Sequence, residues 1–149
     1  AAAFLAAFGH AATPMSALYE AKQLGLQVVS MSGDQNERTG LAVHWREHSV
    51  AGRRDRGVAR LTEFEGHAFD LPLGGFGVVV KNEDQPGVIG AVGTALGGAG
   101  VNVARLQVGL DEGSKEALSF WTVDAQVPTS TLALIGRLDH VVRTFAVTL

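Results

Sequence analysis

The hexapeptide Asn82-Glu83-Asp84-Gln85-Pro86-Gly87 gathers two side-chain amides, two carboxylates and a proline-glycine pair in one short stretch. Pro86 and Gly87 predict the start of a helix, whose first amide groups lack intrahelical acceptors and whose positive dipole end attracts anions. A strand leading into that helix would set Asn82 and Asp84, two residues apart, on one face. The Asn82 side-chain amide and the Asp84 carboxylate could then meet an ammonium or hydroxyl group while the helix amides meet a carboxylate. Together these groups match a free amino acid. A second reading is that Asp84 only caps the helix and Asn82 faces water. The hexapeptide alone leaves both readings open.

Other residues invite different chemistry. His44-Trp45-Arg46-Glu47-His48 satisfies H-x-x-E-H, an inverted zinc-protease motif that works on a helix, where residues four apart share a face. Its flanks, Leu41-Ala42-Val43 and Ser49-Val50-Ala51-Gly52, read as strands, and along one strand the two histidines would stand about 13 Å apart. Zinc is therefore not expected, and no metal site is assigned. Gly74-Gly75-Phe76-Gly77 and Gly97-Gly98-Ala99-Gly100 both precede strands, whereas a dinucleotide loop follows a strand and opens a helix. They read as a linker and a helix cap. Arg53-Arg54-Asp55-Arg56 reads as a solvated loop between strands. His10 and His140 lie near predicted helix ends, and Trp45 and Trp121 sit in strand patterns as core or interface anchors. No Ser/His/Asp set can be assembled from spacing, so no catalytic residue is assigned.

Composition narrows the classes further. In 149 residues, 46% hydrophobic content predicts a packed core, and the absence of cysteine excludes a disulfide framework and a thiolate nucleophile, in keeping with a cytoplasmic protein. A formal net charge of -3 offers no general attraction to nucleic acid or anionic lipid. The longest apolar runs, such as residues 76–80, are far short of the roughly 20 residues that span a bilayer.

The elements that must position these residues fall into two groups. Residues 1–8 and 14–24 read as helices, the second with Thr13 as N-cap, Pro14 in its first turn and Gly25 at its end. Strand patterns follow over residues 41–45, 49–52, 58–64 and 67–71, with Glu65-Gly66 as a tight turn. The linker-like Leu71-Pro72-Leu73-Gly74-Gly75 suggests a boundary, giving units of residues 1–73 and 74–149. The second unit reads as strand 77–83, helix 87–98, strand 101–110, a turn over residues 111–113, strand 117–123, helix 128–138 and strand 141–148. That βαββαβ order is the split βαβ arrangement of ferredoxin-like sandwiches, and the expected class is α+β.

Asp84-Gln85-Pro86-Gly87-Val88-Ile89-Gly90, followed by Gly100-Val101-Asn102-Val103-Ala104, resembles the ACT-domain signature of D-3-phosphoglycerate dehydrogenases. Ser49-Val50-Ala51-Gly52, Val58-Ala59-Arg60-Leu61 and Gly66-His67-Ala68-Phe69-Asp70 are similar to the end of the α/β intervening, allosteric-substrate-binding domain of the same enzymes. The resemblance implies that ACT domains pair across a twofold axis and hold L-serine between subunits for feedback inhibition. The implied serine ligands are Asn82 and Asp84 of one subunit, the backbone amides of Gly87, Val88 and Ile89, and Asn102 of its mate. It also implies an anion site in the first unit near Arg60 and His67. No cofactor is expected in these residues, and NAD would belong to a catalytic domain outside them. Assembly as a dimer through ACT domains, or as a tetramer, follows from the same likeness. The alternative is an assembly module that pairs subunits but has lost its ligand.

Overall fold

The computed structural model describes residues 17–32, 39–110 and 115–148. The helix expected over residues 1–8, the Thr13-Pro14 helix start, His10 and the turn at 111–113 lie outside them. The chain divides into two compact units between Pro72 and Leu73.

In the first unit, helix α1 (Ala17–Gln23) leads into five strands, β1 (Gln27–Ser32), β2 (Thr39–Trp45), β3 (His48–Asp55), β4 (Val58–Phe64) and β5 (His67–Pro72). The α1 helix ends as Gly25 suggests: the Leu26 amide donates to Ala21 O and the Gly25 amide to Lys22 O, the paired bonds of a Schellman turn. The strands form one sheet in chain order, each antiparallel to the last. Arg56-Gly57 and Glu65-Gly66 carry positive φ at both residues, the turn hand that matches strand twist in two-residue hairpins. Buried Val43, Ala51, Leu61, Phe69 and Leu71 supply apolar strand positions.

One expectation needs correction in this unit. The basic stretch read as a loop is mostly strand, because β3 runs on to Asp55 and pairs Arg53 with Arg60 and Arg54 with Ala59. Only Arg56 lies in the turn. A strand tolerates these arginines because Arg53 faces Asp70, with NH2 at 3.6 Å from its carboxylate, so the charge is matched within the sheet.

The second unit runs β6 (Phe76–Glu83), α2 (Val88–Gly98), β7 (Val103–Leu110), β8 (Glu116–Val123), α3 (Thr129–Ile135) and β9 (Val141–Thr148). Its sheet order is β7-β8-β6-β9, antiparallel throughout, which is the α+β, ferredoxin-like arrangement that the element order predicts. The central strand β6 has neighbours on both sides, and Val78, Val79 and Val80 are each at most 1% exposed. Burying a valine contributes on the order of 1.5–3 kcal/mol, so this strand anchors the unit.

Helix α2 contains Gly90, Gly93, Gly97 and Gly98, and each glycine costs about 1 kcal/mol relative to alanine in a helix interior. Packing overrides that weakness. Val88, Val92 and Leu96, spaced four apart, are buried in the core with Val78, Val80, Trp121 and Ile135. Trp121 donates its indole N–H to Ser119 Oγ at 2.9 Å, and Ser119 Oγ donates to Val80 O, so the polar atoms beneath the helix are satisfied. Helix α3 is shorter than its apolar spacing suggests. After Ile135 the chain turns through three-residue bonds, Arg137 N to Leu134 O, Leu138 N to Ile135 O and Val141 N to Leu138 O, which carry it into β9.

Candidate functional site

The junction between β6 and α2 is built by three separate restraints. Asn82, 6% exposed, is the last strand residue that pairs with both β8 and β9, opposite Ala117 and Val141. Its Nδ2 donates to Glu83 O at 2.6 Å. Because the partner is a carbonyl oxygen, the contacting atom must be nitrogen, and the acceptor Oδ1 remains for other use. Glu83 is held twice by one residue: its amide donates to His140 O at 2.9 Å, and its carboxylate lies 2.8 Å from His140 Nδ1. The Asp84 amide donates to Lys115 O at 2.6 Å.

Asp84 stands one residue beyond the end of β6, so the alternation that would put it on the Asn82 face does not extend to it. Its side chain is exposed and joins no ion pair among the described residues. Gly87 then takes φ +94°, a conformation that an L side chain rarely adopts, to turn the chain into α2. Helix α2 begins with no side-chain hydrogen bond at its cap. The capping role considered for Asp84 is therefore not seen, and Asn82 does not face water. Val88 is buried and Ile89 is 49% exposed, so the first turn of α2 has one apolar anchor and one open flank.

Asn102 lies at the other end of the same sheet. Asn82 sits opposite Ala117 on β8, whereas Val103, next to Asn102, sits opposite Val123. Six strand residues separate those positions, about 20 Å at 3.3 Å per residue. One chain does not bring Asn82 and Asn102 together. The Asn102 side chain is exposed, while its backbone is fixed by Asp124: the Asn102 amide donates to the Asp124 carboxylate at 3.0 Å, and the Asp124 amide donates to Asn102 O at 3.1 Å.

Arg60 and His67, the two residues of the expected anion site, are not adjacent. On β4, Arg60 pairs with Pro72 of β5, and Phe64, four residues on, pairs with His67. Arg60 Nε donates to the Asp70 carboxylate at 2.6 Å and its NH2 to Asp70 O at 3.0 Å. The hydrogen bond to Asp70 raises the Arg60 pKa above its ordinary value, outweighing desolvation, so the guanidinium is charged and committed to an internal partner. His67 Nδ1 lies 2.9 Å from Glu65 O, and its buried Nε2 has no partner among the described residues.

The H-x-x-E-H stretch is a hairpin. Trp45 ends β2 and pairs with His48 at the start of β3, with Arg46 and Glu47 in the turn. His48 Nδ1 contacts the Glu65 carboxylate at 2.9 Å, which satisfies it without a metal. No cluster of histidine, aspartate and glutamate suited to a metal occurs among the described residues. Gly74-Gly75 precedes β6 and Gly97-Gly98-Ala99-Gly100 closes α2, so neither glycine cluster opens a helix as a dinucleotide loop must. No described helix is long and apolar enough to cross a membrane.

Sequence reasoning missed Glu83, His140 and Asp124 as supports of the junction and of Asn102. The first pairing spans 57 residues and the second 22, distances at which local pattern carries no signal.

Residues 77–140 match the ACT domain family. The chain is also similar to D-3-phosphoglycerate dehydrogenase of Synechocystis sp., at 26% identity over 83% of this chain and 24% of that protein. It is 38% identical to D-3-phosphoglycerate dehydrogenase 3, chloroplastic, of Arabidopsis thaliana over 64% of this chain and 16% of that one. A third relative, D-3-phosphoglycerate dehydrogenase of Mycobacterium leprae, is 37% identical over 48% of this chain and 13% of its own length. The chain thus spans a quarter or less of the curated relatives it matches.

Proposed function

We propose that this chain, with its ACT domain over residues 77–140, is the C-terminal regulatory region of a D-3-phosphoglycerate dehydrogenase and binds L-serine as a feedback inhibitor. The observation that carries this reading is the β6–α2 junction, an uncapped helix start beside an exposed carboxylate and a buried asparagine with a spare acceptor. The amides of Gly87, Val88 and Ile89 would receive the serine carboxylate at the positive end of the helix. Asn82 Oδ1 and the Asp84 carboxylate would accept bonds from the ammonium and hydroxyl groups.

The site needs a second copy. Asn82 and Asn102 lie at opposite ends of one sheet, and β7 stands at the edge of that sheet, the position from which a strand can pair with a second copy. A twofold axis perpendicular to the sheet beside β7 would pair two such edges antiparallel and bring the Asn102 end of one copy level with the junction of the other. Homodimerisation through β7 is therefore part of the proposal. The NAD-linked oxidation would belong to residues outside this chain, in a cytoplasmic enzyme of serine biosynthesis.

Isothermal calorimetry with L-serine tests the reading directly. Saturable binding heat is expected, abolished or strongly weakened in Asp84→Ala. Absence of both binding heat and a melting shift at millimolar L-serine would sink it and leave an assembly module without a ligand. An equal response to another small amino acid would retain the pocket and change its ligand.

A further inference from the structure

We propose that Asp124 is a positioning residue for the proposed ligand site, holding Asn102 of one subunit in the orientation that its partner's junction requires. The inference rests on the two-subunit reading above and adds a residue to it.

The β7–β8 ladder ends at Val103 opposite Val123, and one residue further the pairing changes character. The Asp124 amide still donates to Asn102 O, as a ladder residue would, but the Asn102 amide is received by the Asp124 side chain at 3.0 Å. The carboxylate thus replaces a backbone acceptor exactly where the strand begins to leave the sheet. A charge-assisted bond of this kind is about twice as strong as one between neutral groups.

The neighbours of Asn102 are held by other bonds. Upstream, the α2 helix closes on Gly100, whose amide donates to Gly97 O, and on Val101, whose amide donates to Leu96 O and whose side chain is 5% exposed. Those bonds fix the chain as far as Val101. Downstream, the β7–β8 register shifts between Val103 and Arg105, so Ala104 bulges and the strand does not extend a regular ladder back to Asn102. Asn102 itself is exposed. Between an anchored Val101 and a ladder-paired Val103, the two bonds to Asp124 are those that the backbone groups of Asn102 itself make. A side chain that must reach into a neighbouring subunit gains affinity when its backbone is fixed beforehand, because less freedom is lost on binding.

Asp124→Ala keeps the apolar core and removes the acceptor, whereas Asp124→Asn keeps an oxygen in place to receive the Asn102 amide. In the full 149-residue chain, amide hydrogen exchange without ligand should show Asn102 protected in the parent and in Asp124→Asn, and unprotected in Asp124→Ala. L-serine affinity by calorimetry should fall about three- to tenfold in Asp124→Ala and recover in Asp124→Asn. The Asn102→Ala, Asp124→Ala double variant should bind no more weakly than Asn102→Ala alone, because Asp124 acts through Asn102. A merely structural Asp124 would lower the melting temperature and leave the affinity unchanged, and that result overturns the proposal while the site reading stands. A parent chain that fails to bind L-serine overturns the site reading and this inference with it. Unchanged exchange at Asn102 in Asp124→Ala removes the positioning role on its own.

Discussion

Asn82 and Asp84 flank the same glutamate but live in different surroundings, and the difference separates binding from folding. Asn82 is buried and its Nδ2 is bonded to Glu83 O, whereas Asp84 is exposed and, among the described residues, bonded through its backbone amide alone. Asp84→Ala should therefore leave unfolding free energy within about 0.5 kcal/mol of the parent, since it removes no buried contact. It should weaken L-serine about ten- to a hundredfold through loss of a charge-assisted bond. Asn82→Ala should lower stability by about 1–3 kcal/mol as well as weakening the ligand, because it also leaves a backbone carbonyl short of a partner. Urea unfolding and calorimetry on both variants would measure this split. Equal loss of stability in the two would contradict the division of roles. The residue types of this junction are legible in the sequence, because strand, proline and glycine cues all act within six residues. Its supports are not. Glu83 to His140 and Asn102 to Asp124 are contacts made by the sheet, and no local rule links residues 57 or 22 apart.

At the scale of elements, apolar pattern locates β5, β6 and β8 closely, since β5 carries buried residues at period two and β6 and β8 each carry a buried central run. Ends decided by hydrogen bonds are less legible. Residue 101 looks like the start of a strand, yet its amide closes helix α2, so β7 begins at Val103. Arg53 to Asp55 look like loop, yet ion pairing to Asp70 keeps Arg53 in the sheet. Close packing also gives Gly77 a role that its composition hides. A Cβ at Gly77 would lie 2.8 Å from Phe120 Cε1 and 3.1 Å from Val147 Cγ2, and Phe120 is itself buried. Gly77→Ala should thus destabilise the chain by about 1–3 kcal/mol. Gly97→Ala, whose Cβ meets nothing within 4 Å and sits inside α2, should stabilise it by up to about 1 kcal/mol. Melting curves should move in opposite directions for the two variants. A shared direction would mean that the packing around β6 or α2 differs from that described.

For the whole molecule, the order of elements implies the second unit's fold, but the sequence does not show that Asn82 and Asn102 are held at opposite ends of its sheet. That separation makes a strong thermodynamic demand. A ligand touching both residues can be bound only by a pair of chains, so ligand binding and dimerisation must be linked. If L-serine engages the dimer alone, a free concentration one hundred times its Kd stabilises each occupied site by about 2.7 kcal/mol, about a hundredfold in the dimer constant per site and roughly ten-thousandfold when both sites of the twofold pair are filled. Sedimentation velocity across a dilution series should show the dimer persisting to lower protein concentration with L-serine present. Asn102→Ala should keep β7 pairing and weaken this response, because it removes the contact from the partner while leaving the strand edge intact. Asp84→Ala should weaken it too, from the other side of the same site. If saturating L-serine leaves the dimer constant unchanged while still giving binding heat, the ligand sits within a single chain, and Asn102 has no part in holding it.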